Sequence, residues 1–287
     1  MKIIVSFTTF NNLKYTKLCL PSIKCSYPYE ILVIDNGSID GTIGWLKTQS
    51  VTLIANGENR GLPSAYNTMY DYAWKEDPEN LLVVINNDNI CLPNTIDELV
   101  KAANISNSNV ISGDTITSPV YCSRYREDRR FLAGSDKITT NAVDKEVHGC
   151  RGWSPGQYYN LTESTAEEFV STMCSKIILP KFEITPVGWY IPGHRLYKKP
   201  YFDSIGYWDV NYYPLYNLDI DYAIRAKLLN QSCVVVNSSF CFEFWSRALY
   251  ESVVPVRDTR RMTYFRDKWG YNIVNWSGYS FYHLCPR

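Results

Sequence analysis

Residues 81–89, Leu-Leu-Val-Val-Ile-Asn-Asn-Asp-Asn, constrain the fold more than any other stretch of the chain. An unbroken apolar run, rich in β-branched side chains, stops abruptly at polar residues, one of them an aspartate. Such a run reads as a strand buried on both faces of a parallel sheet. Ligands of open α/β sheets bind in the crevice outside the carboxyl ends of strands of this kind. Asp88 is therefore expected where a hard metal ion and a phosphate are held. Asn and Asp are also ordinary turn formers, so this segment alone leaves a plain turn open.

The surrounding sequence repeats the pattern. Lys2 to Phe7, Glu30 to Asp35, Val51 to Asn56 and Asn109 to Gly113 read as further strands. Lys14 to Ile23, a turn of sequence through Thr42, Trp45 and Leu46, a segment opened by Pro63, and one opened by Asn94 read as the intervening helices. Proline suits a first helical turn, and Asn94 is expected to cap its helix with Asp97 and Glu98 in the first turn. Strand–helix units in this alternation predict a mostly parallel central sheet flanked by helices on both faces, an α/β architecture of the Rossmann-like kind. The pattern covers residues 1–120. It breaks over 121–185, a polar insertion followed by helical signal at Ser164 to Cys174, with Arg124, Arg126, Arg129 and Arg130 clustered together. Residues 186–250 are aromatic-rich and hold the acidic cluster Asp219-Ile220-Asp221, and 251–287 form a carboxy-terminal extension.

Composition excludes several classes of function. Lys+Arg and Asp+Glu both count 29, so no global basic field draws in nucleic acid. Histidine, at 3, is too scarce for a multi-histidine metal site. The nine cysteines lack any C-x-x-C pair and read as reduced, buried thiols. The apolar start Ile3-Ile4-Val5 is short for a signal-peptide core and nothing approaches a membrane span, which predicts a cytoplasmic protein in which the sequons at Asn160 and Asn237 stay unused.

The proposed strand ends carry a consistent set of polar groups. Thr8 and Thr9 follow the first, Asp35-Asn36-Gly37-Ser38 the second, Asn59-Arg60-Gly61 the third, and Asn87-Asp88-Asn89 the fourth. Asp35 can accept the imino proton of a pyrimidine base, and Asp88 can hold a divalent cation that bridges a diphosphate.

VIDNGSIDGT (33–42) resembles the V-D-D/N-G-S-x-D-G-T signature of the family 2 nucleotide-sugar glycosyltransferases of GT-A fold, in their rhamnosyltransferase-like branch. The spacing onward to Asn59-Arg60-Gly61, Ala65 and Asn67, and to Asn86-Asn87-Asp88, is similar to that family. IDYAIRAKLLNQ (220–231) resembles its E-D-x-D-L-x-x-R element, FDSIGYWDVNYYP (202–214) the approach to that element, and Arg266-Asp267-Lys268-Trp269-Gly270 a tail motif. The resemblance implies that 1–120 is the donor-binding half and 186–250 the acceptor and catalytic-base half of one domain. It implies that Thr8, Thr9, Asp35, Asn59, Arg60, Gly61 and Asn87 bind a UDP- or dTDP-sugar. It also implies that Asp88 holds Mn²⁺ or Mg²⁺, as the last acid of a D-x-D motif whose first acid is here Asn86. Asp219 matches the catalytic base of inverting members and Asp221 the second acid, with Arg225 placed to pair with Asp221. Two departures stand out: Leu218 replaces the glutamate before the base, and the usual downstream histidine ligand gives way to the segment Cys241–Trp245, where Glu243 is the candidate metal ligand.

The implied reaction is a single displacement: Asp219 takes the proton of an acceptor hydroxyl, with inversion at the anomeric carbon. A glycan is the default acceptor. A hydroxylated base in DNA is the less favoured one, since it needs the Arg124–Arg130 strip to track phosphates. A nucleotidyltransferase is disfavoured because residues 7–12 hold neither Gly nor Lys. A catalytically silent nucleotide- or carbohydrate-binding module stays open. So do plain structural roles: Asp219 and Asp221 as first-turn helix acids, Arg60 as a surface charge, Trp189, Trp208 and Trp245 as packing, and His194 as a turn residue. Residues Tyr264 to Tyr282 are placed either to cover the site or to form a dimer contact.

Overall fold

The computed structural model describes residues 1–117, 181–187, 194–215, 217–244, 259–273 and 284–286, with the isolated positions 162, 165, 168 and 171. The arginine cluster at 124–130, Trp189 and Trp245 lie outside the described residues, as does most of the insertion.

The apolar runs form the strands at the centre of the protein. β1 (Ile3–Thr9), β2 (Tyr29–Asp35), β3 (Thr52–Ala55) and β4 (Leu81–Val84) are parallel, in the spatial order β3-β2-β1-β4. Helices α1 (Leu13–Ser22), α2 (Thr42–Leu46) and α3 (Leu62–Trp74) make the crossovers. Beyond β4 the sheet continues with β8 (Arg195–Tyr197), β6 (Val110–Thr117), β9 (Cys233–Glu243) and the short β5 (Asn89–Cys91), while β7 (Ile184–Val187) also pairs with β9. β8 runs antiparallel to both its neighbours, and β5 and β7 run antiparallel to β9. The sheet is thus mostly parallel on one side and mixed on the other, because β8, from beyond the insertion, slots between β4 and β6.

Alternation along each strand divides the core into two layers. Ile3, Val5, Phe7, Val83 and Leu196 pack with α1, α2 and α4 (Thr95–Ile105) on one face. Ile4, Leu82, Val84 and Tyr197 pack with α3, α5 (Lys199–Ile205), α6 (Leu218–Leu228) and α7 (Thr259–Trp269) on the other. The second layer is aromatic. Trp208 stacks on Tyr222 with ring centroids 3.9 Å apart and planes 8° apart, and its indole N–H donates to the Tyr70 hydroxyl. Trp208 is therefore core, as the packing reading held. A two-stranded ribbon, β10 (Tyr271–Ile273) with β11 (Leu284–Pro286), follows α7.

Two local expectations are corrected. Asn94 stands at the start of α4 but adopts a left-handed conformation (φ 65°), and its side chain makes no capping bond. The Thr95 hydroxyl instead donates to the Leu92 carbonyl at 2.6 Å, and also contacts the Phe240 carbonyl. His194 is not a turn residue: it is fully buried at the entrance to β8, with Nε2 3.2 Å from the Ser239 hydroxyl. Burial drives its pKa down to about 3, so the ring is neutral.

Candidate active site

The carboxyl ends of β1, β2 and β3 form one laced rim. Asp35 is fully buried, and its Oδ1 accepts the backbone N–H groups of Gly37 and Ser38, each at 2.9 Å. That geometry locks the Asn36-Gly37-Ser38 turn. Asn36 Nδ2 donates to the Gly61 carbonyl and accepts on Oδ1 from Asn56, while Asn59 Oδ1 accepts the Gly61 N–H at 2.9 Å. The third loop is thereby held against the second. Asp35 Oδ2 and the Thr8 hydroxyl are both buried and have no hydrogen-bond partner among the described residues. Arg60 projects outward, more than half exposed, with a loose contact to Glu58 at 3.4 Å.

Thr9 and Asn87, both expected to bind the ligand, turn inward. Thr9 Oγ1 donates to the Asn11 carbonyl at 3.1 Å and lies 3.2 Å from Thr16 Oγ1, to which Asn87 Nδ2 also donates at 3.4 Å. Their side chains tie β1, α1 and the end of β4 together beneath the rim, and Thr8 faces the other way because strand side chains alternate.

The fourth strand end meets β9. Phe244 N–H donates to the Asp88 carbonyl at 3.0 Å, Asn89 pairs with Glu243 across β5 and β9, and Asn86 Nδ2 donates to Glu243 Oε1 at 3.2 Å. Asp88 is buried and Glu243 half-buried. Backbone pairing thus brings Asp88 and Glu243, far apart in the sequence, to neighbouring positions. Oxygen donors of this kind suit a hard divalent cation. Among the described residues no group of at least three His, Cys, Asp or Glu side chains comes together, so the protein's own ligand set is sparse.

Asp219 and Asp221 part company in the first turn of α6. Asp219 is about a third exposed and faces Arg195 of β8, whose Nη1 is 3.8 Å from its Oδ1. Burial raises its pKa above the ordinary value and the Arg195 guanidinium works against that. Asp221 is fully buried: Arg225 Nε lies 2.9 Å away, Lys268 Nζ 2.7 Å, and the Trp269 indole N–H and Tyr212 hydroxyl donate to it. Asp221, expected as a second catalytic acid, thus has both carboxylate oxygens engaged by buried or partly buried side chains.

Arg195 and Tyr66 were not singled out from the sequence, and Lys268 only as one residue of the tail motif Arg266–Gly270. Tyr66 of α3 is buried, and its phenol pKa is pushed up to about 12, chiefly by burial, with the Arg195 guanidinium opposing and the Asp219 and Glu243 carboxylates adding to the rise. Tyr66 thus lies within the fields of both Asp219 and Glu243. A charged residue inside the three-residue strand Arg195–Tyr197 was the available signal.

An open, mostly parallel sheet with nucleotide-type polar groups on its carboxyl rim defines a GT-A architecture, and the comparisons agree. Residues 4–165 match the profile of glycosyl transferase family 2, more than half the chain, and the protein belongs to that family. No curated protein matches the sequence. Among solved structures, TarS from S. aureus (residues 1–349) in complex with UDP-GlcNAc superposes with a TM-score of 0.57 at 14% identity, covering 93% of this chain and 65% of that one. The mannosyltransferase PcManGT from Pyrobaculum calidifontis, in complex with GDP-Man and Mn²⁺, superposes with a TM-score of 0.52 at 16% identity, covering 86% and 58%. This chain spans about three fifths of the length of these structures, and at such identities the likeness is one of fold. No helix among the described residues is long and apolar enough to cross a membrane.

Proposed function

We propose that the protein is a nucleotide-sugar glycosyltransferase that uses a UDP- or dTDP-sugar. The observation that carries the reading is the buried, unpartnered Oδ2 of Asp35 at the rim. A buried carboxylate oxygen without a hydrogen bond is costly, on the order of 1–3 kcal/mol or more, and the imino N–H of a pyrimidine would satisfy it. The unpartnered Thr8 hydroxyl on the neighbouring strand supports the same ligand. Asn59 and Gly61 shape the loop from which Arg60 reaches toward a diphosphate. The binding of UDP-GlcNAc by one protein of similar fold, and of GDP-Man by another, accords with this donor class.

Asp88 and Glu243, steadied by Asn86, would hold Mn²⁺ or Mg²⁺. Such an ion, when bound, neutralises charge on a departing nucleoside diphosphate. Asp219, at the exposed start of α6, receives the proton of the acceptor hydroxyl at its carboxylate. With one base and no nucleophilic side chain assigned, the displacement is single and inverts the anomeric carbon. Asp221 serves by position, pinning the first turn of α6 to α7. The acceptor is a hydroxyl-bearing molecule, a glycan by default; the balanced charge of the chain disfavours DNA.

The test is calorimetric titration with UDP, dTDP and GDP, with and without Mn²⁺, on the parent and on Asp88→Ala. Metal-dependent binding of a pyrimidine diphosphate that is lost in the variant is the expected result. A folded protein that binds none of the three overturns the reading.

A further inference from the structure

Arg195 is a permanent cation placed where charge is costly. On β8, Leu196 points to the α4 layer while Tyr197 and Arg195 point to the layer of α3 and α6. Its side chain is 8% exposed, and Nε is buried without a hydrogen-bond partner among the described residues. Its guanidinium lies 5.7 Å from the Tyr197 ring centre and 6.0 Å from that of Trp208. Its ion pair among the described residues is with Asp219, at 3.8 Å. That distance exceeds hydrogen-bond length, so the contact is a charge interaction and not a bracing bond. Taking a guanidinium out of water costs several kcal/mol, and an apolar side chain of similar volume serves a core as well or better. Arg225, by contrast, is braced by hydrogen bonds of 2.9–3.0 Å to Asp221 and to the carbonyls of Ile205 and Tyr207, whereas the ion pair of Arg195 is a longer charge contact.

We infer that Arg195 is the positioning residue of the catalytic carboxylate: its buried cation holds Asp219 ionised and facing inward at one oxygen, with the exposed remainder open to the acceptor hydroxyl. This rests on the proposed role of Asp219 as base. The groups that face the pair are few. Tyr197, Tyr66 and Tyr70 lie within the field of Arg195, and Glu243 of β9 acts on Tyr66. The charge of Asp221 is taken up by Arg225 and Lys268 on the far side of α6. A half-buried carboxylate in these aromatic surroundings drifts toward its neutral form, in which it cannot accept a proton; a fixed positive charge beneath it counters that drift. The arrangement also accounts for Leu218, which stands where the family pattern carries a glutamate. A second carboxylate next to Asp219 would oppose its ionisation, and here a cation from another strand supports it instead.

The experiment follows the Asp219 carboxyl directly, by carbon NMR of protein labelled at the aspartate carboxyls, with Asp219→Asn to assign the signal. In Arg195→Gln the Asp219 titration midpoint moves to higher pH, and Arg195→Lys keeps it near the parent. On the acid side kcat/KM of the Gln variant falls on the order of tenfold below its value relative to parent at high pH. An unmoved midpoint in a folded Gln variant overturns the inference. Should that variant not fold, Asp219→Asn decides by its Tm: leaving a buried cation without its counter-charge lowers it, whereas removal of an independent surface carboxylate leaves it unchanged or raised. A moved midpoint together with retained turnover in Asp219→Asn would leave the coupling standing and remove Asp219 as base. An unmoved midpoint with lost turnover would do the reverse.

Discussion

Lys268 Nζ lies 2.7 Å from the fully buried Asp221 and 2.6 Å from Asp209, so one ammonium pins α7 both to the first turn of α6 and to the loop before it. The same turn of α6 presents Asp219 to the rim. The carboxy-terminal helix is thereby part of the frame of the site. Of residues 264–282, the described part packs against α6 through Lys268 and Trp269.

Lys268→Met tests that frame. Arg225, Trp269 and Tyr212 still serve Asp221, so the loss is smaller than for a lone buried charge, and about 2 kcal/mol of stability is expected to disappear in a urea titration. Because the first turn of α6 loses its anchor, kcat should fall more than KM rises. Unchanged turnover in a destabilised variant would confine α7 to holding the fold together.

Asp209 links stability to pH. Despite partial burial, which works the other way, its bonds from Lys268, Tyr264 and the Asn211 N–H hold its pKa down to about 2. A carboxylate whose pKa is depressed on folding adds stability that is fully present above its unfolded value and is lost as pH falls through the folded one. Stability should therefore decline between about pH 4 and pH 2, and Asp209→Asn should flatten that part of the profile, read as Tm against pH. Lys268 contributes in the opposite range: its raised pKa adds stability that is lost only above the ordinary lysine value.

These links mark what the sequence could and could not convey. The strands β1 to β4 and the positions of Asp35 and Asp88 were legible because an apolar run that ends in polar residues has one good reading in an α/β sheet. Arg225 with Asp221 was legible because helix spacing alone makes the pair. Lys268 with Asp221, and Arg195 with Asp219, were not, because tertiary packing alone brings those elements together. The inward turn of the Thr9 and Asn87 side chains was not legible for a related reason: which way a side chain turns at a strand end is decided here by a hydroxyl on α1, Thr16. β8 stayed hidden because a three-residue strand containing an arginine carries almost no pattern.

Asn86 stands where the family pattern has an acid, yet it donates to Glu243 Oε1 at 3.2 Å and so orients the proposed metal ligand. Partners that orient a ligand are worth roughly 10- to 100-fold in metal affinity. Asn86→Ala should weaken Mn²⁺ binding by that factor in calorimetry performed in the presence of UDP, with the fold unchanged by circular dichroism. Equal affinity in parent and variant would show that Glu243 is not held for a metal.

Gly61 joins the loop after β3 to the aromatic layer of the core. Its φ is +80°, and a Cβ built there would lie 2.8 Å from a ring carbon of Tyr213 and 3.2 Å from the Pro214 carbonyl oxygen, which itself accepts the Leu62 N–H at 2.7 Å. An alanine would meet an unfavourable backbone conformation and a backbone atom that cannot yield without giving up the hydrogen bond that starts α3. Gly61→Ala should cost on the order of 1–3 kcal/mol, seen as a lowered Tm. The damage should not stay local, because the Asn59 and Asn36 side chains both bond Gly61 backbone and carry the shift to Asp35. Affinity for a pyrimidine diphosphate should drop along with stability. A Gly61→Ala protein with lowered Tm but parental nucleotide affinity would place the nucleotide away from the Asp35–Arg60 rim.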